Sequence, residues 1–211
     1  MHSKMLPILI FVIWAIVWLV IQIMIVKKEK NETFKKILDN RIFNILIVVA
    51  WIVVVLILIP FCSQIIISGD FTQTLDIIGQ ILVILGIINF VWLFVQKRGI
   101  GAQEMGKLLT KGAYGISRHP IYLSHMLIYF GLVFERGAFE ALIISPLVIV
   151  NYILTAKIEE KFSIGKIFKN EYEIYKKRVP MFMKWWIFLI ICVSFLAFLI
   201  FSFNSGLLQI L

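Results

Sequence analysis

The chain has 211 residues, room for one compact domain or a modest bundle of membrane helices. Apolar residues make up 61% and charged residues 16%, with a mean hydropathy of +0.98; a soluble domain has roughly 45–50% and about 25%. This excludes a disordered chain, a disulfide scaffold, a coiled coil and a soluble nucleic-acid-binding domain, so the net charge of +9 is read through its placement about a membrane.

A spanning helix needs about 20 mostly apolar residues. Leu6–Val26 predicts the first span; it is too long for a signal h-region, and no small-x-small cleavage pattern follows. A basic linker follows, in which Asn31-Glu32-Thr33 has the form of a glycosylation sequon but reads better as a helix cap. Ile42–Pro60 and Leu75–Val95 predict two more spans around a loop at 61–74. After a loop at 97–120 come two shorter apolar runs, Ile121–Phe134 and Phe139–Ala156. Only Glu135-Arg136-Gly137 separates them, so they predict a helical hairpin with a tight turn. In segment 157–184, Ile158, Phe162, Phe168, Tyr172, Tyr175 and Val179 recur at roughly helical spacing. They predict an amphipathic helix lying against the bilayer, its lysines toward lipid phosphates. Trp185–Phe203 is the last span. The expected fold class is an all-α integral membrane protein, a bundle of about six transmembrane helices including the short hairpin. Cys62 and Cys192 lie in or beside apolar runs and lack the partners of a zinc site, so neither a metal site nor a disulfide is expected.

Basic residues test the division. Of the 21, all but Lys4 and Arg136 fall in loops 27–41, 97–120 and segment 157–184, which six spans put on one side. The positive-inside rule makes that side cytoplasmic and turns both termini outward. The spans show no transporter-like repeat and no intramembrane charge pair, Glu140 sitting at the turn, so transport is disfavoured. A site for a water-soluble ligand would be built from the two cytoplasmic segments that flank the hairpin.

The first flanking loop ends in Lys107-Leu108-Leu109-Thr110-Lys111-Gly112-Ala113-Tyr114-Gly115-Ile116-Ser117-Arg118-His119-Pro120-Ile121-Tyr122. Its glycines permit tight turns. Ser117 is positioned to cap a helix whose first turn holds Pro120, and such a helix start attracts anionic groups. Tyr114 and Tyr122 offer flat faces for a base or a cation. The second segment carries Glu159-Glu160.

These residues resemble the isoprenylcysteine carboxyl methyltransferase family and its relatives, the membrane phospholipid N-methyltransferases. The resemblance lies in Gly112-x-Tyr114, Arg118-His119-Pro120-x-Tyr122, Glu159-Glu160, Glu171-Tyr172-x-x-Tyr175 and Val179-Pro180, and it covers about 97–182. Together with the apolar runs on either side, it divides the chain into three N-terminal helices over 1–96, a methyltransferase core over 97–182 and a C-terminal helix over 183–211. It also implies a cytoplasmic pocket for S-adenosylmethionine, contacted by Lys107, Leu108, Leu109, Tyr114, His119, Pro120, Ile121, Tyr122 and Glu160, with Gln103 a further candidate. The implied acceptor is a lipophilic or lipidated molecule, a prenylcysteine-like carboxylate or a lipid headgroup. At the catalytic, acceptor side, Arg118 and Lys157 would hold an anionic group, and Glu159 or His119 would take a proton from an amine or thiol. Membrane lipids are expected partners and nucleic acid is not.

The sequence departs from that family at three places. The prenylcysteine enzymes carry an arginine four positions before the glutamate; here that position is Ala156, with Lys157 beside it. Their glycine after Phe168 is Lys169, and a further span follows Pro180. Two other readings stand beside the methyltransferase: an NADPH-dependent membrane reductase of the sterol or steroid kind, and a non-catalytic membrane scaffold.

Overall fold

The structure is a computed structural model that describes residues 2–40, 42–43, 46–47, 49–50, 59, 62, 65–67, 70–97, 103–104, 107–184 and 208–210. Among the described residues its helices include, in chain order, α1 (His2–Lys27), α2 (Glu32–Leu38), α3 (Asp70–Lys97), α4 (Ala113–Ile116), α5 (Pro120–Arg136), α6 (Phe139–Glu159) and α7 (Gly165–Arg178). Two short antiparallel ribbons accompany them: β1 (Ile65–Ile67) with β4 (Leu208–Ile210), and β2 (Gln103–Glu104) with β3 (Lys107–Leu108). Among the described residues, Ile8–Lys27, Gln73–Leu93 and Phe139–Arg178 contain helices long and apolar enough to cross a membrane. This is a helical membrane protein, as the composition requires. The expected span Trp185–Phe203 and most of Ile42–Pro60 lie outside the described residues. At 17 residues α5 is about 25 Å long, short of a hydrocarbon core of about 30 Å.

The chain divides into two compact units, one of residues 1–63 and 138–167, the other of 64–137 and 168–211. The two arms of the expected hairpin fall in different units. The tight turn itself is present: Gly137 closes α5 in the left-handed conformation, its N–H donating to Phe134 and Val133 carbonyls. Each arm then finds its packing partner elsewhere in the sequence, α5 on α3 and α6 on α1.

In the first unit, α1 is apolar around much of its circumference and leaves Leu9, Ile13, Ile16, Leu19, Val20 and Ile23 exposed, as a lipid-facing helix does. It buries Phe11 and Gln22, and Gln22 reaches Asn151 and Thr155 of α6. Asn31 caps α2 as expected, its Oδ1 accepting from the Thr33 and Phe34 amides at 3.0 and 3.2 Å. Cys62 is buried near Glu140 and Ala141; burial pushes its thiol up to about 11, so it stays protonated and unreactive at neutral pH.

In the second unit, α3 and α5 run antiparallel and close together along a seam of small residues. A Cβ on Gly79 would come within 2.6 Å of the Gly131 carbonyl and the Glu135 amide nitrogen. One on Gly86 would meet Ile128 at 2.7 Å and the Ser124 carbonyl at 3.0 Å. Lipid supplies no hydrophobic drive for helices to associate, so close backbone approach and interhelical hydrogen bonds hold such a pair. Asn89 adds the latter, donating to the Pro120 carbonyl and to Ser124 Oγ.

The amphipathic segment is helical, but not evenly so. Residues Glu160–Ile164 form a π turn, and α7 breaks at Lys169, which has φ 41° and ψ −114°. A side chain is disfavoured there, and a glycine at this position, as in the resembled family, would relieve the strain. Lys169→Gly is expected to stabilise the protein by about 1 kcal/mol, seen as a raised midpoint of thermal unfolding in detergent. An unchanged or lowered midpoint would show that the lysine is at ease in this conformation.

Candidate functional site

The motif-bearing loop is built onto the end of α3. Gln96 turns its amide onto the chain, Nε2 donating to the Lys111 carbonyl at 2.7 Å and Oε1 accepting the Ala113 N–H at 3.1 Å. This satisfies an orphan amide at the start of α4. Gly112 stands between these two contacts with φ 63°, and a Cβ there would strike the Gln96 amide. That explains the glycine of Gly112-x-Tyr114. Tyr114 is only 3% exposed and packs with Leu93 and Ala113, flanked by Leu109 and Ile121. Its ring is therefore part of the core instead of the open flat face expected from sequence.

The next residues are fastened to segment 175–182. Tyr175 Oη donates to the Tyr114 carbonyl at 2.6 Å. The Arg118 and His119 amides donate to the Pro180 and Met181 carbonyls at 2.9 and 3.0 Å, and Ser117 Oγ donates to Met181 at 2.8 Å. Buried Arg118 sends Nη1 to the carbonyls of Lys176 and Val179 at 2.9 and 3.0 Å. It thus caps the last turn of α7, where a cation is favoured. Arg118 was expected at the acceptor; its Nη1 instead holds the frame together. Ser117 was expected to cap α5. The N-cap is His119, with Pro120 at the first helical position, and Ser117 Oγ accepts the His119 amide.

His119 and Tyr122 lie one turn apart and stack, with ring centroids 5.5 Å apart and planes 3° from parallel. Phe182 meets His119 edge-on at 6.2 Å. His119 is buried and Tyr122 half-buried, so the pair makes an aromatic shelf at the N-terminus of α5. The β2–β3 ribbon places Gln103 opposite Leu108; Lys107 is exposed and Leu108 buried. Ten of the thirteen expected site residues therefore fall in one unit.

The other three, Lys157, Glu159 and Glu160, belong to the first unit. Lys157 is exposed, Glu159 half-buried at the end of α6, and Glu160 only 7% exposed at the head of the π turn. Turns of this kind recur at functional sites because they re-aim the side chains that follow. Ala156 is wholly buried, so this position has no room for the arginine of the resembled enzymes.

The sequence matches a family described as proteins of unknown function, DUF1295, over residues 2–179. The chain belongs to the DUF1295 family. No curated protein and no solved structure matches it. In this DUF1295 member the match takes in the aromatic shelf, its Arg118 clamp and the Glu159-Glu160 turn. Gln96, Asn89 and Phe182 were missed from sequence. Gln96 and Asn89 interrupt the otherwise apolar C-terminal half of α3, a weak signal; Phe182 has none, since only the return of the chain after Pro180 brings it to His119.

Proposed function

We propose that this chain is an integral-membrane S-adenosylmethionine-dependent methyltransferase with a lipophilic acceptor, its site on the cytoplasmic side. The observation that carries the reading is the frame around Arg118-His119-Pro120-x-Tyr122, which fixes a stacked His–Tyr shelf at a helix start. The donor set suits such a cofactor. Aromatic faces attract a sulfonium, the first-turn amides of α5 suit a carboxylate, and the buried Glu160 carboxylate suits an ammonium or ribose hydroxyls. When bound, the cofactor supplies a methyl group activated by its positive sulfur. The protein need not provide a nucleophile. His119 and Tyr122 hold the donor end and the frame from Arg118 keeps them in place, so that much of the acceleration comes from positioning. Glu159 takes up the proton if the acceptor is an amine or thiol, and exposed Lys157 favours an anionic acceptor head.

A second reading has specific support: DUF1295 is associated with steroid-reductase-like as well as methyltransferase-like membrane proteins. Titration calorimetry of the purified protein in detergent separates the two. S-adenosylhomocysteine is expected to bind, and Glu160→Gln to weaken it by about 1–3 kcal/mol through loss of a hydrogen bond to a charged group. His119→Ala should weaken it too. Binding of NADPH with no heat from S-adenosylhomocysteine would replace the methyltransferase with a reductase.

A further inference from the structure

The α1–α6 seam holds a polar network whose hydrogen bonds can be oriented completely. The Thr155 hydroxyl gives its one proton to the Asn151 carbonyl at 2.8 Å. It must therefore accept from Trp18 Nε1 and Gln22 Nε2, each at 2.7 Å. The second Gln22 amide proton goes to Asn151 Oδ1, again at 2.7 Å. The Asn151 amide group is thereby fixed, with its Nδ2 on the far side. That nitrogen is buried and has no hydrogen-bond partner, on a side chain only 9% exposed.

Two N–H donors left unpaired in an apolar seam cost free energy comparable to lost hydrogen bonds. Asn151 lies eight residues before the end of α6, about 12 Å inside it, at hydrocarbon depth. Around the network are aromatic walls: Trp14 stacks on Trp18, and Tyr152 meets Trp18 edge-on. On either side of the seam, Leu19, Val20, Ile23, Val150 and Leu154 are exposed to the surrounding lipid.

From this we infer that the seam is a binding site for a lipophilic molecule bearing a carbonyl oxygen, an ester or ketone, which accepts a hydrogen bond from Asn151 Nδ2. A carbonyl suits the place better than water. Thr155 is already saturated and Asn151 Oδ1 is engaged, and a carbonyl brings no proton of its own that the seam would have to pair. The inference is independent of the reaction catalysed.

The test uses the full chain in detergent with 2-tridecanone as probe and tridecane as its oxygen-free control. The ketone is expected to raise the unfolding temperature and the alkane not. With carbonyl-13C ketone, the infrared carbonyl band of the bound molecule should move to lower frequency than in detergent alone. Asn151→Leu, which keeps the volume and removes the donors, should weaken ketone binding about tenfold or more, while S-adenosylhomocysteine titration of the same variant reports separately on the cofactor reading. Equal effects of ketone and alkane, or an unshifted carbonyl band on wild-type protein, would overturn the inference whether or not the variant folds. So would a density map showing only water at Nδ2.

Discussion

Gly131→Leu should leave no folded protein, and even Gly131→Ala should lower stability by about 1–3 kcal/mol. In most helices glycine to alanine is a gain of about 0.5–1 kcal/mol, because the unfolded chain loses freedom. Here overlap decides the sign. An alanine Cβ at 131 would sit 2.7 Å from the Gly79 carbonyl oxygen, 2.7 Å from Val83 Cγ2 and 2.8 Å from the Val83 amide nitrogen. Two of these three are backbone atoms of α3 and cannot rotate away, so the helices must part and the Asn89 hydrogen bonds to Pro120 and Ser124 weaken with them. Gly115→Ala is the control. Its Cβ would approach only the Thr110 carbonyl, at 3.4 Å, and it should be neutral or slightly stabilising. Tryptophan fluorescence during thermal unfolding in detergent reads both, at roughly 2–4 °C per kcal/mol for a chain of this size. A Gly131→Ala protein that melts with or above the wild type would dismiss the seam as the basis of the α3–α5 pair.

The second large effect is expected at Arg118. Replacing it by methionine keeps most of its volume and removes the donors to Lys176 and Val179. Hydrogen bonds to a charged group are worth about 1.5–3 kcal/mol each, and the two carbonyls would be left without that partner, so a loss of roughly 3 kcal/mol or more is expected. Arg118→Lys should rescue only in part: one nitrogen, Nη1, meets both carbonyls, and an ammonium has the protons for both but a shorter reach. The damage should be local first. Segment 176–182 should become sensitive to protease, and S-adenosylhomocysteine affinity should fall with it, because Phe182 and the His119 amide contact leave together. If Arg118→Met resists protease like the wild type but fails to turn over substrate, the guanidinium acts on the acceptor and its clamp is secondary.

Much of the local structure was legible in the sequence. The apolar runs that became α1, α3 and α6, the break at Glu135-Arg136-Gly137, the Asn31 cap and the helix start at Pro120 each follow from composition or from one residue's backbone chemistry. The role of Arg118 was not legible. A lone arginine before a helix reads as an anchor or an anion ligand, and only the packing of the end of α7 offers it the carbonyls of Lys176 and Val179 instead. Tyr114 misled for the same reason: an aromatic ring suits a ligand or a core equally well, and Leu93 and Ala113 decide between them.

The amino-acid order by itself determined that this chain lives in a membrane, roughly where α1, α3, α5 and α6 run, and which motif it carries, because burial in lipid and capping are set by neighbours a few residues apart. Tertiary structure alone decided which helices pair. The span boundaries gave the tight turn between α5 and α6 but not the packing within each unit, where α5 lies on α3 and α6 on α1. Lipid makes every apolar face nearly equivalent, so the choice falls to close glycine contacts and a few buried amides, Asn89 on one seam and Gln22 with Asn151 on the other.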